Sequence, residues 1–362
     1  MSRLAGSRRS PDALKLGVIG CGQATMGSHL PALAHLAEIE VVALADTDPV
    51  ALARAAQFAG GPRTYQDYRK LLDDAGVEAV AVCVPAPFHA EVSLAVLDAG
   101  KHLFLEKPLA LTLDDADRLV RAAAASRYKS MLGFNLRWHR LTQRARDVIR
   151  QGTLGPPQII ATQLTSFHDT IPEWRKHRAS GGGVFFEQAV HHFDLWSFLV
   201  ERPIEEISAT TRSGQWEDEY ASVTASIAGG IIANGSFAVH TGKTNEVEVF
   251  GREGSLSYSF YRFDSFRCTR GDAPTDGIRP RIDETLRALG EAPEGFWRLR
   301  NGGDFIASFQ SEWRHFHDAI RNGSPAECTF EDGRRALLAV LAAVKSATLG
   351  RPVKLAEISD HH

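Results

Sequence analysis

Two short stretches carry side chains able to move a proton near neutral pH. The first is Glu106-Lys107-Pro108, which follows the β-rich run KHLFLE. A lysine partly withdrawn from water has a lowered pKa and can give a proton to, or take one from, a hydroxyl. Pro108 biases Lys107 toward extended backbone. The second is GGGVFFEQAVHHFDLW, where Glu187 and His191 stand four residues apart. That spacing puts both on one helical face, with Asp194 three residues further along it and His192 elsewhere. A carboxylate beside an imidazole fixes its tautomer and draws its pKa toward neutrality, as a general base requires. The flanking Val184, Phe185, Phe186, Val190, Phe193, Leu195 and Trp196 predict burial, and a buried charged pair usually has a functional reason to persist. The plain alternatives are a solvated loop lysine and a surface Glu–His pair.

The elements that would position these groups alternate from Leu14 to about Gly133. LKLGVIG, VVALAD, VEAVAVCVP, KHLFLE and KSMLGF read as strands. SHLPALAHLAE, DPVALARAAQFA, YQDYRKLLDD, HAEVSLAVLDAG and TLDDADRLVRAAAAS read as helices, with Asp48 as an N-cap, Pro49 at the first helical position and Gly100 closing the fourth. Such alternation predicts βαβ units and a doubly wound parallel sheet, so the fold class is α/β. After about Trp138 the rhythm changes. LTQRARDVIRQGTLG is a helix ended by Gly152 or Gly155, and QIIATQLTSF, EEISATTRSG, YASVTASIAGGIIANGSFAV and VEVFGREGSLSYSF alternate as strands. They predict an α+β domain with a large, mostly antiparallel open sheet, interrupted by the helix FFEQAVHHFDLWSFLV. Residues 269–303 are rich in Gly, Pro and Arg and read as a long loop, and two amphipathic helices finish the chain.

The first strand runs into Gly20-Cys21-Gly22, with Gln23 and Ala24 opening the helix that follows. Glycines at a strand–helix turn let backbone approach a pyrophosphate, and the helix offers free N–H groups to it. Thr25 stands where a third glycine would end the fingerprint, and Gly27 comes two residues late. The second strand ends in Asp46, twenty-four residues after Gly22, where an acid can bind both ribose hydroxyls of an adenosine. An acid repels a 2′-phosphate, and Thr47 brings no positive charge, so NAD is favoured over NADP. The loops Cys83–His89 and Leu105–Pro108 should lie over the cofactor.

At 362 residues the chain is long for one core, and two domains are expected. The reading is a lead-in at 1–13, a cofactor domain at 14–136 and a second domain at 137–355, whose last helices can pack back on the first. A net charge of −3 gives no electrostatic reason to expect nucleic acid. The four cysteines, Cys21, Cys83, Cys268 and Cys328, form no CxxC pair and imply neither a disulfide framework nor a metal site. No apolar run reaches the roughly 18–20 residues needed to span a bilayer, so no membrane association is expected and a cytoplasmic location is.

Together the Gly20–Gly22 turn, Asp46, HAEVSLAVLDAGKHLFLEKPLALT, GFNLRW, GGGVFFEQAVHHFD and the closing HFHDAIRNGSPAECTFEDGRRALLAVLAAVKSATLGRPVKL resemble the glucose–fructose oxidoreductase / inositol dehydrogenase (Gfo/Idh/MocA) family. The resemblance implies a Rossmann domain, then a domain on a large open sheet that often packs face to face in a homodimer or homotetramer. It implies hydride transfer between NAD(P) and a carbinol of a sugar, glycoside or cyclitol. Lys107 would be the lysine of the family's Glu-Lys-Pro motif, with Glu106 beside it at the cofactor. Pro85 and His89 would belong to a loop over the cofactor, and His191 would be the acid/base histidine. Glu187 would take a position usually held by aspartate, and Ala189 one often held by glycine. The expectation is that Lys107 and His191 meet at one carbinol. Asn135, Arg137, Trp138, Trp174, Arg175, His177, Arg178 and Asp194 would contact this small polyhydroxylated substrate, since aromatic faces stack on sugar rings and arginine grips hydroxyls or a carboxylate. Two other readings are a redox-neutral, NAD-dependent glycosidase and a non-catalytic NAD-binding regulator on the same fold.

Overall fold

Short apolar runs flanked by turn residues become the strands of one parallel sheet: β1 (Leu14–Ile19), β2 (Ile39–Ala45), β3 (Arg63–Tyr65), β4 (Ala79–Val82), β5 (His102–Glu106) and β6 (Ser130–Gly133). Their order is β3-β2-β1-β4-β5-β6, and every pairing is parallel. The computed structural model describes residues 10–167, 172–262, 265–271, 290 and 302–359. Contacts divide the chain into two compact units, 1–135 with 306–337 and 136–305 with 338–362. Most of the lead-in and of the Gly-Pro-Arg-rich stretch at 269–303 lies outside the described residues.

The parallel sheet forms the first unit. Its central strands are apolar on both faces, with β4 wholly buried, because helices cover them. The strand order reverses between β1 and β4, so the loops leaving these strands diverge and open a crevice at their carboxyl ends. The covering helices are α1 (Leu30–Leu33), α2 (Pro49–Ala59), α3 (Tyr68–Leu72), α4 (His89–Asp98) and α5 (Leu113–Ala125). Asp48 caps α2 by accepting the Val50 N–H at 2.9 Å, with Pro49 directly after it.

The segment 28–38, expected as one helix, is different. A wide π turn over Thr25–His29 opens it, and α1 stops at Leu33. Helix therefore begins almost at the glycine turn, and residues 34–38 return to β2 as turns. Strand β3 escaped notice because it is a short edge strand with two of three residues exposed.

The second unit holds α6 (Arg140–Arg150), α7 (Val190–Val200) and a sheet of eight strands. These are β7 (Pro157–Thr165), β8 (Ile204–Arg212), β9 (Tyr220–Ile227), β10 (Ile231–Ala238), β11 (Thr244–Gly251), β12 (Gly254–Ser259), β13 (Arg267–Arg270) and β14 (Val353–Lys354). The order is β13-β12-β11-β7-β10-β9-β8-β14, antiparallel except between β7 and β10. Strict alternation in β9 and β10 buries one face. On that face Phe237 packs against Phe193 and Trp196 of α7, and the Trp196 indole donates to the Thr162 hydroxyl at 3.1 Å. The other face carries a row in register across three strands, Ile232, Ile159 and Phe250, which are 46%, 39% and 40% exposed.

Two further helices, α8 (Gly303–Asn322) and α9 (Phe330–Leu349), end the chain's helical structure apart from one last turn. Residues 306–337 belong to the first unit, where Trp313 of α8 stacks on Phe104 of β5 with centroids 4.3 Å apart.

Candidate active site

After Ile19 the chain turns through Gly20 at φ 95°, with its N–H on the Ala45 carbonyl at 2.8 Å. A Cβ at Gly20 would sit 2.5 Å from the Cys83 carbonyl oxygen, so only glycine lets β1 and β4 part this closely. Gly22 is different: it is exposed, and nothing lies within 4 Å of where its Cβ would be. The turn thus offers a bare backbone cradle at the start of a helix, of the kind a pyrophosphate needs. Gln23 and Ala24, both exposed, begin that helix. Thr25, in place of a third glycine, is fully buried and donates its hydroxyl to the Gly20 carbonyl at 2.6 Å. One side-chain hydrogen bond therefore closes the strand–helix corner.

Asp46 braces the same corner. Its Oδ2 accepts the Cys21 N–H at 2.6 Å and its Oδ1 accepts the Asp48 N–H at 2.8 Å. Each carboxylate oxygen can accept a second bond, which leaves room for ribose hydroxyls. Burial, then the Asp46 charge, pushes the Cys21 thiol up to about 12, so it fills space as a neutral group. Cradle, acid and helix start together fit a dinucleotide.

At the end of β5, Lys107 is partly buried, and the Lys107–Pro108 bond is cis. Glu106 accepts the Lys107 N–H on Oε2 at 3.0 Å, and its Oε1 lies 2.7 Å from Nε2 of His29. Burial would raise the Glu106 pKa, but His29 and Lys107 outweigh it and hold the carboxylate below its ordinary range. Pro85 is exposed, just ahead of a 3-10 turn over Ala86–Phe88. His89, expected in the loop over the cofactor, has both ring nitrogens on backbone carbonyls. Its ring is 1% exposed, with Nδ1 2.6 Å from the Pro108 carbonyl and Nε2 2.9 Å from that of Val84. It ties the loops after β4 and β5 together from below, and burial lowers its pKa.

In the second unit, the helix that carries His191 starts with a π turn over Phe185–Ala189. His191 is partly exposed. Glu187 is gripped by Arg175, Nε to Oε1 at 2.9 Å and Nη2 to Oε2 at 2.5 Å. Arg178 forks onto Asp218 in the same way, both bonds 2.8 Å, which raises its pKa. The three glycines before the helix serve backbone: a Cβ at Gly182 would sit 2.0 Å from the Arg175 carbonyl oxygen. Residues 172–180 are thereby strapped down over the helix start, with Trp174 36% exposed and His177 exposed.

Arg137 and Asp194, expected as substrate contacts, are bound to each other. Arg137 Nε donates to Asp194 Oδ2 at 2.7 Å, a second bond joins Nη2 to Oδ1, and both side chains are at most 9% exposed. Buried charges need such a partner. Asn135, in the first unit, is buried with its amide on the Ser308 hydroxyl at 3.4 Å, while Trp138 is partly buried.

Residues 14–134 match the model described as the Gfo/Idh/MocA oxidoreductase family, NAD-binding Rossmann fold, and residues 142–257 match that of the Gfo/Idh/MocA C-terminal domain. The chain belongs to the Gfo/Idh/MocA oxidoreductase family. It is an oxidoreductase whose first unit is an NAD-binding Rossmann domain. Myo-inositol 2-dehydrogenase of Thermotoga maritima is 29% identical over 95% of this chain and 99% of its own. Levoglucosan dehydrogenase of Pseudarthrobacter phenanthrenivorans is 25% identical over 87% of this chain and 90% of its own. A solved levoglucosan dehydrogenase, complexed with NADH and L-sorbose, superposes with TM-score 0.79 at 22% identity, covering 95% of this chain and 99% of that one.

Within this Gfo/Idh/MocA fold, His29, Asp218 and Trp313 were not legible as site residues in the sequence, because none is marked by local spacing. His29 meets Glu106 across 77 positions and Trp313 across 284.

Proposed function

We propose that this protein is an NAD-dependent dehydrogenase that reversibly oxidises a secondary hydroxyl of a sugar, glycoside or cyclitol. What carries the reading is one feature of the first unit. The bare Gly22 cradle and the partly buried Lys107 both stand at the carboxyl end of the same parallel sheet, on the strands β1 and β5. The full-length likeness to myo-inositol 2-dehydrogenase supports the substrate class.

Gly20, Gly22, Gln23 and Ala24 hold the pyrophosphate, and Asp46 binds the adenosine ribose. Bound NAD supplies the hydride acceptor. His191 takes the hydroxyl proton, and the Lys107 charge favours the alkoxide as it forms. Glu187, fixed by Arg175, keeps the end of the His191 helix in place and offers its carboxylate edge to a neighbouring hydroxyl. Trp174 supplies an exposed ring to stack on the substrate, with His177, Trp138 and Asn135 as further polar contacts. The row Ile232, Ile159 and Phe250 makes the open sheet face the seat of a homodimer or homotetramer. The cytoplasm is the proposed compartment. No helix among the described residues is long and apolar enough to cross a membrane.

The test is a fluorescence screen for NADH production over inositols, sugars and glycosides, followed by Lys107→Ala and His191→Ala. Each substitution should cut kcat by about a hundredfold or more while NADH affinity stays near wild type. Turnover retained by both variants ends the assignment.

A further inference from the structure

His29 lies fully buried at the end of the π turn that follows the glycine corner, in a position the proposed chemistry does not use. It is the centre of a chain of hydrogen bonds within the first unit. The Trp313 indole donates to His29 Nδ1 at 3.1 Å, and His29 Nε2 faces Glu106 Oε1 at 2.7 Å. The other oxygen of Glu106 accepts the Lys107 backbone N–H at 3.0 Å.

The directions are consistent. The indole needs a lone pair on Nδ1, which selects the tautomer with its hydrogen on Nε2. That hydrogen can only point at the carboxylate, which keeps its second oxygen for the lysine backbone. Burial disfavours a charged ring, but Cys83 and Glu106 outweigh it and raise the pKa. In the charged ring Nδ1 carries a hydrogen and no longer accepts from the indole, but Nε2–H stays aimed at Oε1. The edges of Phe104, Phe309 and Trp313 close around the imidazole with centroids 5.1–5.6 Å away, so the ring has no room to turn. The charged or titratable groups facing the pair are Cys83 at the end of β4, His89 of α4 and Lys107.

We propose that His29 is a positioning residue: it holds Glu106 ionised and aimed, so that Glu106 fixes the loop that presents Lys107. The proposal rests on the reading of Lys107 as a group that faces substrate. A buried carboxylate stripped of its donor becomes protonated, since an unpaired charge there is costly. Glu106 would then lose the Lys107 N–H as a firm partner, and the turn that carries Lys107 would loosen.

Two variants test this, His29→Leu and His29→Gln. Glutamine keeps one acceptor and one donor on a chain of similar reach, so it can stand in for the Nε2–H tautomer. The first readout is labelling of lysines by acetic anhydride at pH 8, resolved by peptide mass. In His29→Leu the Lys107 rate should rise by about threefold or more, as a loosened turn exposes its side chain, with other lysines unchanged and His29→Gln near wild type. The second readout is kinetic. With any polyol the wild type oxidises, His29→Leu should lower kcat about tenfold with NADH affinity within about twofold, and His29→Gln should recover most of the loss. Equal Lys107 labelling in wild type and a folded His29→Leu overturns the proposal. If His29→Leu does not fold, Glu106→Ala removes the acceptor of the Lys107 N–H itself, and unchanged Lys107 labelling there overturns it as well. If no polyol is oxidised by the wild type but the labelling shifts, the relay stands and the dehydrogenase reading falls.

Discussion

Glu187 and Arg175 meet through a two-pronged fork, Nε to Oε1 at 2.9 Å and Nη2 to Oε2 at 2.5 Å, with both side chains at most 20% exposed. A glutamate reaches a partner that a shorter acid at this point of the helix would not reach with the same geometry. The clamp holds the strap 172–180 on the helix that carries His191. A double-mutant cycle with Glu187→Gln and Arg175→Gln, read by urea unfolding, should give a coupling of about 1–3 kcal/mol. A coupling near zero would mean the fork is a surface contact.

The two glycines of the cofactor turn should separate stability from binding. Gly20→Ala forces a Cβ to 2.5 Å from the Cys83 carbonyl oxygen at φ 95°, and should cost about 2 kcal/mol or more in unfolding free energy. Gly22→Val places its side chain where no protein atom lies within 4 Å, so its Tm should stay near wild type. Its NADH affinity, by fluorescence titration, should fall about tenfold or more.

Asp46→Asn should weaken NADH binding and narrow the preference over NADPH. The amide keeps one acceptor oxygen where the carboxylate serves both the Cys21 and the Asp48 N–H groups. The repulsion of a 2′-phosphate goes with the charge. An unchanged ratio of the two dissociation constants would show that selectivity lies elsewhere.

How far the chain reveals itself depends on the range of each interaction. Strands β4 and β5 are short apolar runs, and β9 and β10 alternate strictly, so both kinds of sheet could be read directly. The edge strands β3 and β13 are mostly exposed, β14 is only two residues long, and none carries such a pattern. The Gly20 turn and the acid after β2 stood out because each follows directly on an apolar strand, a local pattern. The arginines were legible as residues and not as partners: Arg175 finds Glu187 twelve positions on, and Arg137 finds Asp194 fifty-seven positions on. Spacing within a helix says nothing about such distant carboxylates.

His192 gives a pH test. It is fully buried beside Asn245, and burial pushes its pKa down from 6.5 to about 3. The unfolded chain binds this proton more readily, so its contribution is intact above about pH 6.5. It is lost as pH falls from there toward about 3, at up to about 1.4 kcal/mol per pH unit. His192→Phe, compared with wild type by urea midpoints at pH 7 and pH 5, should show a smaller loss between the two. An equal loss would assign the acid sensitivity to other groups.

The Rossmann unit is sewn from two distant parts of the polypeptide, 1–135 and 306–337. Trp313 stacks on Phe104, and Gly333 lies so near Leu132 and Leu109 that a Cβ there would come within 2.5 and 2.9 Å of them. During synthesis, strands that have already left the ribosome must therefore wait, bare over Phe104 and Leu132, until the later helices arrive to roof them. A nascent chain in that state carries an apolar sheet face that is complete as a core only once residues 306–337 have been made.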